Sequence, residues 1–178
     1  PGALCELVQA RYILEPQLAA LAAGGHQHPI CGSTCEDGNH NNVTWTGVMG
    51  VTGLKAGGHY YLMRDVTVSE TWHPADGVVL CLNGHSITCN AGADTSNPVP
   101  VITVSETGCF TAGTVTHEAE KRGRGVMVFG TFNLYGGNIT GNMAINYAGV
   151  YNEGIFNLYG GKISDNKSVG NESSIFND

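Results

Sequence analysis

Gly125-Val126-Met127-Val128-Phe129-Gly130-Thr131-Phe132-Asn133-Leu134-Tyr135-Gly136-Gly137-Asn138-Ile139-Thr140-Gly141-Asn142 and Gly149-Val150-Tyr151-Asn152-Glu153-Gly154-Ile155-Phe156-Asn157-Leu158-Tyr159-Gly160-Gly161-Lys162-Ile163-Ser164-Asp165-Asn166 align without a gap at an offset of 24 residues. A fixed period of this length is the signature of a solenoid. Within each copy, short runs of β-branched and aromatic residues are broken by Gly-Gly or Gly-Asn, so each copy predicts two or three strands joined by tight turns and no helix. One turn of a right-handed parallel β-helix takes roughly this many residues. Turns stacked at about 4.8 Å bury a column of apolar side chains that no single turn can bury alone.

Working outward, Val78-Val79-Leu80-Cys81-Leu82-Asn83-Gly84-His85-Ser86-Ile87-Thr88 reads as a degenerate copy, with further strand-like runs at 43–46, 60–63, 66–68, 101–104 and 110–116. Successive turns are then expected to begin near Val78, Val101, Val126 and Val150, giving about four or five turns over 43–178. Leu4, Leu7, Val8, Leu14, Leu18 and Leu21 fall at helical spacing, with Pro16 starting a second short helix after a break at Glu15. A parallel β-helix leaves an unpaired edge and an open core at each end, so residues 1–23 are expected to form a helical cap. Residues 24–42 shift to His, Cys, Gly, Asn and Pro and read as a long loop. Residues 173–178 resemble the opening of another turn, with no cap after it. The expectation is an all-β, right-handed parallel β-helix whose last turn is covered by further chain or by another molecule.

Composition narrows the function. With 26 glycines in 178 residues and only 13% charged residues, the chain suits a turn-rich β fold. A net charge of −7, with eight Lys and Arg against fifteen Asp and Glu, argues against nucleic acid as a partner. No apolar run approaches the roughly 20 residues needed to span a bilayer. Six cysteines (Cys5, Cys31, Cys35, Cys81, Cys89 and Cys109) are compatible with disulfides in an oxidising compartment, while Cys81 and Cys109 also read as small core residues.

Tyr60-Tyr61-Leu62 with Asp65-Val66-Thr67-Val68, then Leu80 to Thr88, then the two Phe-Asn-Leu-Tyr-Gly-Gly turns resemble the repeat region of right-handed parallel β-helix repeat proteins of gut Firmicutes. These are large secreted or wall-attached surface proteins, often with internalin-type repeats further along. The resemblance covers roughly Cys31 to the end. It implies an extracellular or cell-wall location and a structural or adhesive role, with host or dietary glycans or other surface proteins as partners.

Three groups of residues can carry chemistry. His26, His28, Cys31, Cys35 and His40 put three imidazoles and two thiols into one loop. Both cysteines and two of the histidines can supply the four ligands of a structural zinc; a Cys31–Cys35 disulfide or free thiols in a solvated loop is the alternative. Second, if Phe132, Leu134 and Ile139 point inward, alternation sends Asn133 and Tyr135 outward and stacks them on Asn157 and Tyr159. That stripe offers rings for sugar C–H faces and amides for hydroxyls, although like residues also recur simply because they stack well. Asn142 and Asn166 form a further ladder at a turn, satisfying backbone groups and tolerating left-handed geometry. Third, Lys121-Arg122-Gly123-Arg124 beside His117, Glu118 and Glu120 is the one cluster suited to lyase chemistry, against the alternative of a solvated loop with compensating charges. The acidic residues otherwise lie scattered, with no carboxylate pair placed for glycoside hydrolysis. The leading expectation is a structural or adhesion module with glycan contact along the Tyr/Asn stripe. A polysaccharide lyase or glycoside hydrolase fragment, and a module that self-associates end to end through its C-terminal turn, are the alternatives.

Overall fold

The computed structural model describes residues 45–92, 98–170 and 173–177. Strand β1 (Trp45–Val48) opens the coil, followed by β2 (His59–Leu62) and β3 (Val66–Val68), then β4 (Val78–Cys81), β5 (Ser86–Cys89) and β6 (Ile102–Val104). The next turn holds β7 (Thr107–Thr111), β8 (Thr114–His117) and β9 (Val126–Val128). The two repeated turns hold β10 (Thr131–Leu134), β11 (Asn138–Thr140), β12 (Met143–Ala144) and β13 (Val150–Asn152), then β14 (Ile155–Leu158), β15 (Lys162–Ser164), β16 (Lys167–Ser168) and β17 (Ile175–Asn177). Every strand pairs in parallel with its counterpart one turn away. The result is a parallel β-solenoid of about five turns, and no helix occurs among the described residues.

Three faces result. The first sheet runs β1-β2-β4-β7-β10-β14, the second β3-β5-β8-β11-β15 and the third β6-β9-β13-β17, with β12 and β16 as a short extra pair. Alternation sends every second side chain inward, where equivalent positions stack. Val66, Ile87, Val115, Ile139 and Ile163 form one column, and Ile102, Val126, Val150 and Ile175 another. Trp72, Phe110, Phe132 and Phe156 form an aromatic stack inside the coil, with centroid separations of 5.5, 5.0 and 5.6 Å. The inward placement expected for Phe132, Leu134 and Ile139 holds, and all three are buried.

The Gly-Gly pairs have a backbone reason. Gly137 and Gly161 lie at φ of 93° and 90°, where side-chain-bearing residues are strained. A Cβ on Gly161 would stand 2.3 Å from the carbonyl oxygen of Gly137, directly beneath it. The corner therefore closes only if both turns carry glycine there.

One expectation needs correction. Val78 does not begin a turn in phase with Val101, Val126 and Val150, because β4 belongs to the first sheet while β6, β9 and β13 belong to the third. The position equivalent to Ile102 one turn earlier is Trp72, which bridges to it in parallel. The sequence between Cys89 and Val101 is longer than in the regular turns, and that length shifted the phase. The helical cap assigned to residues 1–23 lies outside the described residues. Among the described ones, it is the loop 49–58 between β1 and β2 that closes the core at this end, burying Val51 and packing Leu54 against the same cluster. At the other end Phe156 and Ile163 remain half-buried, and Ile155 and Leu158 are 56% and 49% exposed. No helix of the described residues is long and apolar enough to cross a membrane.

Candidate functional site

The outward side of the first sheet carries two columns. One reads Trp45, His59, Val79, Cys109, Asn133, Asn157; the other reads Gly47, Tyr61, Cys81, Thr111, then Tyr135 and Tyr159 just past the ends of β10 and β14. Backbone bonds from Tyr135 N to Phe110 O and from Tyr159 N to Leu134 O, both 2.9 Å, carry the ladder through these two tyrosines. Their rings stack at 4.6 Å between centroids and 10° between planes. Beside them the Asn157 Nδ2 donates to Asn133 Oδ1 at 2.9 Å, leaving Asn157 Oδ1 and Asn133 Nδ2 outside that bond. Tyr159 is 63% exposed and Tyr135 half-buried. The four residues expected to make a stripe are thus brought together, and a depression of about 80 Å³ lined by Val79, Cys109, Asn133 and Tyr135 adjoins them.

The stripe is only two rungs long. Towards the N-terminal end the same outward face is closed, with Trp45, Tyr61, Val79, Cys81, Cys109 and Thr111 all buried. Trp45, Tyr61, Val79, Cys81, Cys109 and Ala112 pack as a second apolar cluster on the side of the sheet away from the main core, and Tyr135 leans on its edge. Cys81 is disulfide-bonded and Cys89 is a buried free thiol. Of the two readings of Cys81, the disulfide therefore applies, in a buried setting. The signal for this closed face is present in β4, where Val78-Val79-Leu80-Cys81-Leu82 is apolar without alternation, the pattern of a strand covered on both sides.

His117 does not join the charged segment that follows it. It lies on the inward side of β8 and is buried, whereas residues 118–120 are exposed. Its Nδ1 is 2.8 Å from Asn142 Oδ1 and its Nε2 is 2.9 Å from Val99 O. Arg122 meets Glu120 at 3.3 Å, as expected of a loop with compensating charges. The buried histidine is therefore not part of the exposed charged surface of this segment.

The Asn142–Asn166 ladder explains how that histidine is held. Asn166 Nδ2 donates to Ile139 O at 2.8 Å, so its Oδ1 faces the backbone N–H of Asn142 at 3.1 Å and the Asn142 Nδ2 at 2.9 Å. Asn142 Nδ2 also donates to Thr140 O at 3.1 Å, which fixes the amide with Oδ1 towards the imidazole. Both ring nitrogens of His117 thus face oxygen acceptors, so the neutral ring donates to one of Asn142 Oδ1 and Val99 O, and only the protonated ring donates to both. Burial lowers the pKa of the ring below its ordinary 6.5, against the opposing pull of the contacts to Asn142 and Val99. The left-handed residues at these corners are Gly141 and Asp165. Each asparagine is present for its side-chain bonds and does not itself supply the left-handed turn.

His26, His28, Cys31, Cys35 and His40 lie outside the described residues. Among the described residues, no group of three or more His, Cys, Asp or Glu side chains is placed to hold a metal ion. A cleft of about 470 Å³ opens along β3, bordered by Gly50, Thr52, Arg64, Glu70 and His73. Among the described residues the first sheet extends to β1, one strand beyond the level at which the second reaches β3. No family model matches the chain, and no curated protein or solved structure matches it.

Proposed function

We propose that this chain is a display or adhesion module of a secreted or cell-surface protein, a right-handed coil that contacts glycans through Tyr135, Tyr159, Asn133 and Asn157. One observation carries the reading: two co-stacked tyrosine rings, one of them largely exposed, beside a bonded asparagine pair on a rigid ladder. An aromatic face accepts the apolar side of a sugar ring, and the adjoining amides supply donors and acceptors for its hydroxyls. The ladder holds these groups in place before any ligand arrives, so little conformational entropy is lost on binding. A solenoid also gives length and stiffness from contacts between neighbouring turns alone, which suits display.

The test is a screen of neutral oligosaccharides, followed by titration of each binder against Tyr135→Ala/Tyr159→Ala. Affinity lost with the melting temperature retained supports the reading. Affinity that survives reduces the stripe to packing.

A second reading, end-to-end association through the last turn, is favoured by the exposed Ile155, Leu158 and Ile175 and by the outer edges of β14, β15 and β17. Parallel strand edges of this kind accept further strands. Sedimentation across a hundredfold concentration range decides it: a reversible rise in mass supports association, and a constant monomer removes it.

A further inference from the structure

The outward side of the third sheet carries a different constellation. Thr103, Met127, Tyr151 and Phe176 stand in register on four successive strands. Tyr151 and Phe176 stack at 5.1 Å and 15°. Tyr147 joins them, 4.9 Å from Phe176 and 5.6 Å from Tyr151. Its φ of 56° is a left-handed conformation that an aromatic residue adopts only at a cost in strain.

Arg124 lies over this cluster, its Cζ 5.1 Å from the Tyr151 ring centroid. Its Nε is buried without a hydrogen-bond partner, and Nη1 has only the Met127 sulfur at 3.9 Å. No carboxylate among the described residues forms an ion pair with it; the two such pairs are Arg122 with Glu120 and His85 with Asp65. The nearby Glu153 is occupied by the Tyr151 hydroxyl, which donates to its Oε1. In a chain with nearly twice as many acids as bases, a half-buried guanidinium with no acid partner is conspicuous. The ring face offsets part of its desolvation through cation–π attraction, and no oxygen acceptor is bonded to the guanidinium, whose Nη end is the part not buried with Nε.

We propose that Arg124, Tyr147, Tyr151 and Phe176 form a binding site for a carboxylated sugar. A guanidinium takes a carboxylate through two parallel N–H···O bonds, and the ring cluster receives the apolar face of the sugar that carries it. The site is separate from the Tyr135/Tyr159 stripe and does not rest on it. Glu153 sets a limit on the ligand, because its charge repels a second anionic group placed near the Tyr151 hydroxyl.

The experiment is calorimetric titration of the whole chain with methyl β-glucuronide, methyl β-glucoside and inorganic sulfate, repeated on Arg124→Gln, Arg124→Lys and Tyr135→Ala/Tyr159→Ala. The expected result is glucuronide binding that weakens about tenfold or more in Arg124→Gln, as loss of a charged hydrogen bond implies. Arg124→Lys keeps the charge without the fork and should bind with intermediate affinity at an unchanged melting temperature, so the proposal stays testable if Arg124→Gln folds poorly. The glucoside should bind more weakly than the glucuronide, and the Tyr135/Tyr159 variant should bind the glucuronide as the parent does. Absence of glucuronide binding at millimolar concentration, equal binding of glucuronide and glucoside, or equal binding by parent and both Arg124 variants overturns the proposal. Sulfate binding as tight as glucuronide overturns its sugar component and leaves a simple oxyanion site.

Discussion

Replacing Asn142 by Asp keeps the shape of a fully buried side chain and reverses the hydrogen-bonding sense of one of its atoms. In the parent, Asn142 Nδ2 donates to Asn166 Oδ1 at 2.9 Å and to Thr140 O at 3.1 Å. An aspartate oxygen in that place faces two acceptors. Asn166 Oδ1 keeps the backbone N–H of Asn142, while Thr140 O and the new oxygen are left without a donor; at about 1 to 3 kcal/mol for each, the variant should lose about 2 to 6 kcal/mol at pH 8. The other oxygen stands where Oδ1 now lies, 2.8 Å from His117 Nδ1, and there a carboxylate favours the imidazolium. In the parent, burial holds the His117 pKa below 6.5. The folded parent therefore binds fewer protons than the unfolded chain, and this contribution to stability, present above pH 6.5, is lost as pH falls through the folded pKa. In Asn142→Asp the folded pKa should rise above 6.5. The sign then inverts: the contribution is complete below 6.5 and lost as pH rises through the new pKa, each unit of rise being worth about 1.4 kcal/mol. Urea unfolding between pH 5.5 and 8 measures the difference in stability, which should narrow on acidification. An NMR titration of the His117 ring assigns the effect to that residue and separates it from protonation of the new carboxyl. A variant whose His117 titrates at or below the parent value would refute the geometry argued for the Asn142–Asn166 ladder.

The other perturbations follow from packing and crosslinking. Phe132→Ala empties the middle of the stack between Phe110 and Phe156 and should cost about 3 to 5 kcal/mol by chemical denaturation; a loss below 1 kcal/mol would mean the neighbouring turns collapse into the space. Gly137→Ala places a methyl 2.5 Å from Gly113 O at a φ of 93° and should destabilise well beyond the roughly 1 kcal/mol of left-handed strain alone, whereas Gly53→Ala, with open space around it at a φ of 77°, should cost only the strain. Reduction of the Cys81 disulfide should lower stability by about 2 to 4 kcal/mol, seen as a drop in melting temperature with dithiothreitol; an unchanged melting temperature would show that the crosslink constrains little.

The solenoid was legible because its period is written in residues that have one structural use. Phe132 with Phe156, Leu134 with Leu158, Ile139 with Ile163 and the two Gly-Gly pairs recur at 24 residues, since each must sit above its own copy. Their side chains alternate as strands require, so the Tyr135–Tyr159 and Asn133–Asn157 contacts could be read with them. Burial of the outward face near β4 was legible only as missing alternation. The phase of the early turns was obscured by irregular length between Cys89 and Val101. His117 was misread for a similar reason: its charged neighbours in sequence drew it towards the loop, while strand parity in β8 turns it to the core beside Val115.

The departures from the repeat are as informative as the repeat. Shifting Gly123, Arg124 and Met127 forward by 24 residues gives Tyr147, Ala148 and Tyr151. At 123 glycine is required, because a Cβ there would lie 1.8 Å from Val99 O and 2.4 Å from His117 Nε2. One turn later the residue equivalent to His117 is Gly141. The imidazole that crowds position 123 thus has no counterpart under position 147, and an aromatic residue fits there. Ala148 is fully buried, so a second arginine is excluded at that register and the guanidinium of Arg124 occurs once. An array selected only for stiffness has no reason to vary an outward column from Met127 to Tyr151 to Phe176 while the inward columns Val115–Ile139–Ile163 and Val126–Val150–Ile175 keep β-branched residues. The repeated positions carry the coil, and the unrepeated outward positions of the third sheet are where a single-copy ligand site has room to form.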